Sequence, residues 1–381
     1  MSSTVSSLPP LEFEGCNYFR QRIILSLLSG RAIRIINIRT DEADPGLVDY
    51  EVAFLKLIDR VTNGTNATIG YTGSSVTFRP GALIGGKLEF DCGVSRGIGY
   101  FLEPIITLAP FCKKPTVITL TGITNSDNDL CVDTIRTVML PTLIRFGIED
   151  GLEMKINRRG APPLGGGEVF FRCLPVKALK AVDFSDAGRI KRIRGIAYSA
   201  RMSPAHASRS IEAARSLLNK FIPDVYIYAD HYSGRKAKKT AATTALGEIA
   251  AAEAGLSPGY GISLVAESTT GALLSAESCG AAGEPPEELG LRVARLLYSA
   301  IDKGGICDAL FQNLHLLLVT LSPEDVSRLR FGKLTPYTIQ YLQDLKEFFG
   351  IVFKLKADNE SRTVLLSAMG IGFTNVHRKI D

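Results

Sequence analysis

The chain has little of the chemistry that metal and redox sites require. Its 381 residues include no tryptophan, four histidines and seven cysteines. No two cysteines form a Cys-x-x-Cys pair, and the smallest separation, between Cys112 and Cys131, is 19 positions. Zinc sites usually place such ligands close together in sequence. We therefore expect no metal, no cofactor and free thiols in a reducing compartment.

Long hydrophobic runs are also missing. The longest apolar runs hold about eight residues, whereas a membrane-spanning helix needs about 20. Residues 1–10 are small and uncharged, unlike a secretion signal. With 45% hydrophobic and 22% charged residues, the chain is expected to be a soluble, intracellular, globular protein with no membrane partner.

Positive charge is concentrated in one segment. The net charge is +5, but residues 185–240 hold 12 Lys or Arg against 4 Asp or Glu, while the remainder has 32 against 35. Most of these cations fall in two clusters: Arg189, Lys191, Arg192 and Arg194, then Arg235, Lys236, Lys238 and Lys239. Such a segment either binds nucleic-acid phosphates or forms a solvated basic surface, and charge alone does not separate the two.

Strand-like and helix-like segments alternate along the chain. Residues 31–39 alternate apolar and basic side chains, as a half-buried strand does, after an apolar helix that ends at Gly30. Similar patterns predict strands at 115–120, 168–172, 352–356 and 363–366, and helices at 46–61, 129–146, 285–303, 308–321 and 335–349. We assign the last three helices to one repeated unit, the third.

The basic segment interrupts this pattern with a module of its own. Its sequence predicts strands at 193–199 and 225–229, and helices at 205–221 and 241–254. A module of about 95 residues can hold a small core. We interpret residues 185–280 as an inserted basic α/β domain, and residues 1–184 with 281–381 as one discontinuous domain.

A glycine-rich stretch at 81–88 nearly matches a phosphate-binding loop. However, Leu88 stands where a Ser or Thr would hold Mg²⁺, and Lys87 leads into a strand-like segment instead of a helix. We interpret the stretch as a turn between strands.

Several motifs occur in the order found in one enzyme family. They are RRGAPPLGGGE at 158–168, SPGYG at 257–261, AESTTG at 266–271, GEPPEELG at 283–290 and GGICDALFQNL at 304–314. Together they resemble the RNA 3′-terminal phosphate cyclase family, from about Leu11 to the C-terminus. The resemblance implies an α+β fold in which three repeated units of two helices pack on a four-stranded sheet, with an inserted smaller α/β domain.

The family's nucleophile is missing from its expected position. The cyclases carry a His in a segment of the form Asp-Glu-His-Leu-Ala-Asp-Gln, and this His forms a covalent AMP intermediate. Asp308 matches the Asp, but Leu310 stands in place of the His. Leucine has no lone pair with which to attack ATP. His315 lies five positions further on, about 140° away around a helix, so we interpret it as a polar residue in an apolar run.

The phosphate-binding turn near the N-terminus is also altered. Where the cyclases have Gly-Glu-Gly-Gly-Gly-Gln, residues 14–21 read EGCNYFRQ, whose side chains occupy space that glycines would leave for phosphate. Arg20 and Arg39 match arginines of the family pattern, and Arg158 and Arg159 are expected at the rim of the cleft. Guanidinium groups bind phosphate in a bidentate manner. Buried ion pairs are the alternative interpretation for Arg20, Arg39 and Arg159.

Other segments resemble the cyclase-like branch of the family. They are TGITN at 121–125, VDTI at 132–135, LP at 140–141 and VLLSAMGIG at 364–372. This branch implies a nucleolar protein without cyclase activity, which acts as a ribosome biogenesis factor for the small (40S) subunit in early pre-rRNA processing. The implied partners are a nucleolar ribosome-biogenesis GTPase, pre-rRNA and the small nucleolar ribonucleoprotein machinery of the 90S pre-ribosome. The chain would then be a monomer within a large complex, and the two basic clusters would contact RNA or an acidic partner segment.

Two enzymatic alternatives remain open. An endoribonuclease could use Asp344 to deprotonate a 2′-OH and Lys346 to stabilise the charge on the phosphorane. Residues two apart on a helix point about 200° apart, however, which favours a solvated charge pair. An active ATP-dependent cyclase would need a displaced nucleophile such as His315.

Overall fold

The computed structural model describes residues 9–232, 255–376 and 378. The first repeated unit lies at the N-terminal end of the described chain. The elements of this unit are β1 (Leu11–Glu14), α1 (Phe19–Ser29), β2 (Ile33–Ile36), α2 (Asp49–Val61), β3 (Thr62–Asn63), β4 (Asn66–Ile69), β5 (Val76–Arg79) and β6 (Ala82–Leu83). Strands β1, β2, β5 and β4 form a sheet in that order, and β3 pairs with β6 as a separate ribbon.

The second unit repeats this arrangement. Its elements are β7 (Gly86–Asp91), α3 (Ile98–Leu108), β8 (Thr116–Gly122), α4 (Val132–Thr134), α5 (Leu140–Arg145), β9 (Glu153–Arg158) and β10 (Gly167–Cys173). The π-helical turn Ile135–Met139 joins α4 to α5, so the helix predicted at 129–146 is present with one irregular turn. The glycine-rich stretch at 81–88 includes β6, the start of β7 and the two residues between these strands. Its interpretation as a turn between strands is therefore confirmed.

The third unit is interrupted after its first strand, β11 (Asp183–Phe184). The inserted elements are β12 (Ile190–Ala200), α6 (Ala205–Leu218), β13 (Val225–Tyr232), β14 (Gly259–Ser268), β15 (Leu273–Cys279) and α7 (Pro286–Lys303). The unit then resumes with α8 (Gln312–Leu321), β16 (Val326–Phe331), α9 (Pro336–Phe349), β17 (Lys354–Asp358) and β18 (Thr363–Met369). The helix predicted at 241–254 lies outside the described residues.

The three repeated sheets share one topology, as expected. Their strand orders are β1-β2-β5-β4, β7-β8-β10-β9 and β11-β16-β18-β17. In each sheet the first two neighbours are parallel and the other pairs antiparallel. The inserted sheet has the order β13-β12-β14-β15, with β13 parallel to β12. None of the described helices is long and apolar enough to cross a membrane.

The buried side chains form two cores, and the second corrects the assignment of α7. The large core joins all three repeated units and includes Phe54, Phe171 and Phe331. The smaller core lies in the inserted sheet and includes Leu289 and Leu297 of α7. The prediction that α7 belongs to the third unit is therefore wrong, because its apolar face packs with α6 on the inserted sheet. We propose that the inserted unit extends through α7, beyond the expected limit at residue 280.

Local sequence explains several element ends. Gly30 and Gly350 follow α1 and α9 in the left-handed conformation, with φ of 73° and 72°, which glycine adopts without strain. Helix α9 begins at Pro336, and the hydroxyl of Thr335 accepts a hydrogen bond from the Thr338 backbone N–H. Strand β2 buries Ile33 and Ile35 while Arg34 faces outward.

Candidate functional site

A cleft of about 570 Å³ lies where the first and second repeated units meet the segment that precedes α8. Its wall comes from α1, α3, the loop before α4, the end of β15 and the start of α9. The lining residues are Arg20, Gln21, Arg96, Gly99, Tyr100, Glu103, Asp127, Asn128, Asp129, Leu130, Glu277, Ala309, Leu310, Asn313, Thr335 and Tyr337. The position that would carry a nucleophilic His therefore lies in a cleft.

Leu310 contributes an apolar side chain to this cleft, and 49% of its surface is exposed. The neighbouring carboxylate of Asp308 fixes the turn that carries it. One oxygen of Asp308 accepts the Leu310 backbone N–H at 2.9 Å, and the other accepts the backbone N–H and hydroxyl of Ser275 at 2.8 and 2.6 Å. Burial raises the pKa of Asp308. The retained Asp thus holds a residue that cannot act as a nucleophile.

His315 does not reach the cleft. It lies buried on α8 with its Nδ1 2.9 Å from the carbonyl oxygen of Phe311, to which it can donate a hydrogen bond. The rings of Phe146 and Phe331 pack against it. Burial lowers the pKa of His315 to about 4. The interpretation of His315 as a structural residue agrees with this geometry.

Two arginines lie among the described residues that line the cleft, and both have carboxylate partners. Arg20 lies 3.2 Å from Glu103, and Arg96 lies 2.6 Å from Asp129. Both guanidinium groups also face the ring of Tyr100, at 4.1 and 4.8 Å from its centroid. Arg20 is the only arginine of the sequence-predicted phosphate ligands that lines this cleft in the described structure.

The remaining charged groups in the described lining of the cleft are acidic. Asp127 accepts hydrogen bonds from the Cys279 backbone N–H and the Ser278 hydroxyl, at 2.8 and 3.0 Å. Glu277 accepts the Cys131 backbone N–H at 2.8 Å and the hydroxyl of Thr134. Burial raises the pKa of Glu277 to about 7, although these hydrogen bonds act to lower it.

Acidic groups therefore outnumber basic ones along the described lining. Its charged members are Arg20, Arg96, Glu103, Asp127, Asp129 and Glu277. Even with Glu277 protonated, three carboxylates face two guanidinium groups. Like charges repel phosphate oxygens more strongly in a half-enclosed cleft than in bulk water. This lining disfavours the triphosphate of ATP and the phosphate of an RNA end.

Sequence reasoning missed Arg96 and the acidic residues of the cleft. They come from loops that carry no phosphate motif, and only the fold brings them together. The altered sequence of the turn at 14–21 did point to one wall of the cleft. Tyr18, with φ of 63°, packs against Tyr337, and their ring centroids are 5.2 Å apart. Tyr337 itself lines the cleft.

Arg39 and Arg159 form ion pairs away from the described cleft lining. Arg39 makes two contacts of 2.8 Å with Glu51, whose side chain also accepts the Val48 backbone N–H. Arg159 is 1% exposed and contacts both oxygens of Asp133, at 2.6 and 2.8 Å, together with Asp230 at 2.9 Å. Burial would raise the pKa of Asp133, but Arg159 outweighs it and lowers this pKa. Their geometry is that of structural ion pairs.

The other predicted basic ligands are scattered. Arg158 donates to the carbonyl oxygen of Gly166 at 2.5 Å. Arg192 and Arg194 lie on β12 and pair with Glu267 and Asp224, at 2.6 and 2.7 Å. The second basic cluster, Arg235, Lys236, Lys238 and Lys239, lies outside the described residues.

Asp344 and Lys346 occupy different sides of α9. Asp344 is buried, 3.6 Å from the Nε of Arg22, and accepts a hydrogen bond from Gln340 at 2.9 Å. Burial raises its pKa. Lys346 is exposed in the last turn of the helix. The two side chains do not face a common site, so this geometry gives no support to the endoribonuclease alternative.

The chain is similar to known proteins over nearly its whole length. A family model described as RNA 3′-terminal phosphate cyclase matches residues 11–355. The chain is 49% identical to a probable RNA 3′-terminal phosphate cyclase-like protein of Dictyostelium discoideum, covering 97% of this chain and 99% of that protein. It is 46% identical to the human RNA 3′-terminal phosphate cyclase-like protein and 45% identical to the rRNA processing protein rcl1 of Schizosaccharomyces pombe. Both alignments cover 97% of this chain and 98% of the relative.

Proposed function

Because the chain belongs to the RNA 3′-terminal phosphate cyclase family, we propose that it is an rRNA processing factor that retains the family's fold without the cyclase reaction. The observation that carries this proposal is Leu310. This leucine is held in the cleft by Asp308, where the cyclases carry the nucleophilic His. Without a nucleophile at this position, the covalent AMP intermediate has no atom on which to form.

The charge of the cleft supports the same proposal. A cyclase must bring the triphosphate of ATP and a terminal RNA phosphate together. Here the described lining is net negative, and both of its arginines are already paired with carboxylates. The loss of the reaction thus involves the binding surface as well as one residue.

The similarity to rcl1 supports the role in rRNA processing, since that protein is named for it. We extend the proposal to early processing for the small (40S) subunit, in the nucleolus and within the 90S pre-ribosome. The proposed partners are a nucleolar ribosome-biogenesis GTPase, pre-rRNA and the small nucleolar ribonucleoprotein machinery. Basic residues of the inserted unit would supply RNA contacts: Arg192, Arg194, Arg235, Lys236, Lys238 and Lys239.

The absence of cyclase chemistry can be tested directly. The purified chain would be incubated with Mg²⁺ and ATP labelled on its α-phosphate, beside an active cyclase as positive control. We expect no label to remain on the denatured chain. A covalent AMP adduct would contradict the proposal and would require a nucleophile other than residue 310.

The processing role needs a cellular test. Schizosaccharomyces pombe cells depleted of rcl1 would express this chain, and pre-rRNA species would be separated by size. We expect the early processing intermediates to return to their normal proportions. Unchanged accumulation of precursors, with the chain present at normal abundance, would count against the role. Site-specific cutting of a pre-rRNA fragment by the purified chain would instead favour the endoribonuclease.

A further inference from the structure

The inserted sheet has two faces of different character. One face carries Ile193, Ile227 and Leu264, which are buried beneath α6 and α7. Residues paired across neighbouring strands point to the same face. Arg194 pairs with Tyr226, and Ile196 pairs with Tyr228, so both tyrosines lie on the opposite face.

Only part of this opposite face is covered by the second repeated unit. On β14 the hydroxyl of Ser263 lies 2.8 Å from that of Thr134, and Val265 belongs to the large core. Strand β13 is the last strand at the other side of the sheet among the described elements. Its two tyrosines are 53% and 57% exposed, for Tyr226 and Tyr228.

The two tyrosine rings form a pair on the open part of the face. Their centroids are 4.5 Å apart, and the ring planes meet at 75°. Two aromatic side chains at alternate positions of one strand leave a large apolar area in water. Such an arrangement on an open sheet is the one that RNA-binding sheets use to stack unpaired bases.

Positive charge lies beside the tyrosines. Arg194 is level with Tyr226, and Arg192 lies on the same face one pair further along β12. Both arginines are half-exposed and paired with Asp224 and Glu267. Surface ion pairs of this kind contribute little, so phosphate oxygens can replace the carboxylates at small cost. Two exposed tyrosine rings beside two half-exposed guanidinium groups favour nucleic acid over an apolar protein segment.

We propose that Tyr226 and Tyr228 stack unpaired bases of single-stranded RNA while Arg192 and Arg194 contact its phosphates. This inference rests on the proposed function and specifies its RNA as single-stranded at this face. Stacking on an aromatic ring tolerates any base, so the surface would bind RNA with weak sequence preference.

The binding test uses a short fluorescein-labelled oligouridine and the full chain, with affinity measured by fluorescence anisotropy. We expect the double variant Tyr226→Ala, Tyr228→Ala to bind at least about 30-fold more weakly, whereas Tyr226→Phe, Tyr228→Phe binds like the unchanged chain. Tyr71→Ala is the matched control, because Tyr71 is fully exposed on the first unit. Removing the exposed rings should leave the thermal unfolding midpoint unchanged.

A second readout separates stacking from charge. Arg194→Ala should reduce the salt dependence of log K by about 0.7, while the tyrosine variants leave that slope unchanged. Equal oligouridine binding by the double alanine variant and the unchanged chain would overturn the inference. If that variant kept RNA binding but failed to restore pre-rRNA processing in cells, the face would bind a protein instead. If it kept both, the proposed function would stand without this surface.

Discussion

At the scale of single residues, Arg159 was predicted to bind phosphate, but its contacts are those of a buried ion pair. Its guanidinium joins Asp133 of the second unit to Asp230 of the inserted unit, and its Cζ lies 4.7 Å from the centroid of the Tyr198 ring. All its hydrogen-bonding capacity is directed inward. A phosphate could bind there only after these carboxylates had been displaced.

Removing Arg159 should therefore destabilise the chain. We expect Arg159→Leu to lower the free energy of unfolding by about 3–5 kcal/mol, because the only ion pair left to buried Asp133 among the described residues would be its longer contact with Arg136, at 3.6 Å. Arg158→Leu is the matched control, since Arg158 is half-exposed. Urea unfolding of the two variants and the unchanged chain measures these free energies of unfolding. The double variant Asp133→Leu, Arg159→Met should recover much of the lost free energy of unfolding, because it removes both members of the buried pair. A loss in Arg158→Leu as large as that in Arg159→Leu would contradict a structural role for Arg159.

His315 gives a second residue-scale prediction, through pH. Burial lowers its pKa from 6.5 to about 4, so the folded state binds fewer protons than the unfolded state between these values. The stability that the neutral ring contributes is present above about pH 6.5 and is lost as the pH falls to about 4. At about 1.4 kcal/mol per pKa unit, the loss is at most about 3.5 kcal/mol.

His315→Asn should remove this pH-dependent part while keeping a donor towards Phe311. The expected result is that the stability difference between the unchanged chain and the variant shrinks as the pH falls from 7 to 4. Urea unfolding at several pH values measures it. Parallel stability curves for the two proteins would contradict the pKa assigned to His315.

At the scale of elements, the sequence pattern located some elements of the repeated units, while the threefold repeat followed from the family resemblance and the position of α7 could not be predicted. Periodicity located α2, β8, α9 and the strands near the C-terminus within a few residues, because each has one buried face. It could not show which core α7 joins, since an amphipathic helix has the same pattern on either sheet. The cleft was harder still, because Arg96, Asp127 and Asp129 lie in loops whose approach depends on the whole fold.

The contact between α6 and α7 tests the revised boundary of the inserted unit. A Cβ added at Gly290 would lie 2.2 Å from the Ser210 carbonyl oxygen. We expect Gly290→Leu to force the helices apart and to lower the free energy of unfolding by about 1–3 kcal/mol or more. Ser299→Leu, on the exposed side of α7, is the control. In limited proteolysis of the folded variant, α6 and α7 should both be cleaved faster than in the unchanged chain.

If Gly290→Leu instead left α6 protected and exposed only α8 or α9, the helix would be coupled to the third unit. That outcome would restore the original boundary at residue 280. The small core supports the first result, because Leu289 and Val293 of α7 are fully buried with Ala214 of α6.

At the scale of the whole molecule, the groups that argue against a cyclase reaction are distributed over the cleft. Leu310 comes from the third unit, Arg20 and Glu103 from the first two, and Glu277 from the inserted unit. A His placed at position 310 would supply a nucleophile but not the positive charge that a triphosphate needs. Both conditions must be met before an AMP adduct can form.

We therefore expect Leu310→His to form no covalent AMP adduct with α-labelled ATP, and ATP with Mg²⁺ not to raise its unfolding temperature. The double variant Leu310→His, Glu277→Gln removes one carboxylate but leaves Asp127 and the two paired arginines, so it should also remain unlabelled. An active cyclase treated in parallel is the positive control. Labelling of Leu310→His alone would mean that the acidic lining does not exclude ATP. Residue 310 would then be the one barrier, and the proposed absence of the cyclase reaction would rest on that leucine.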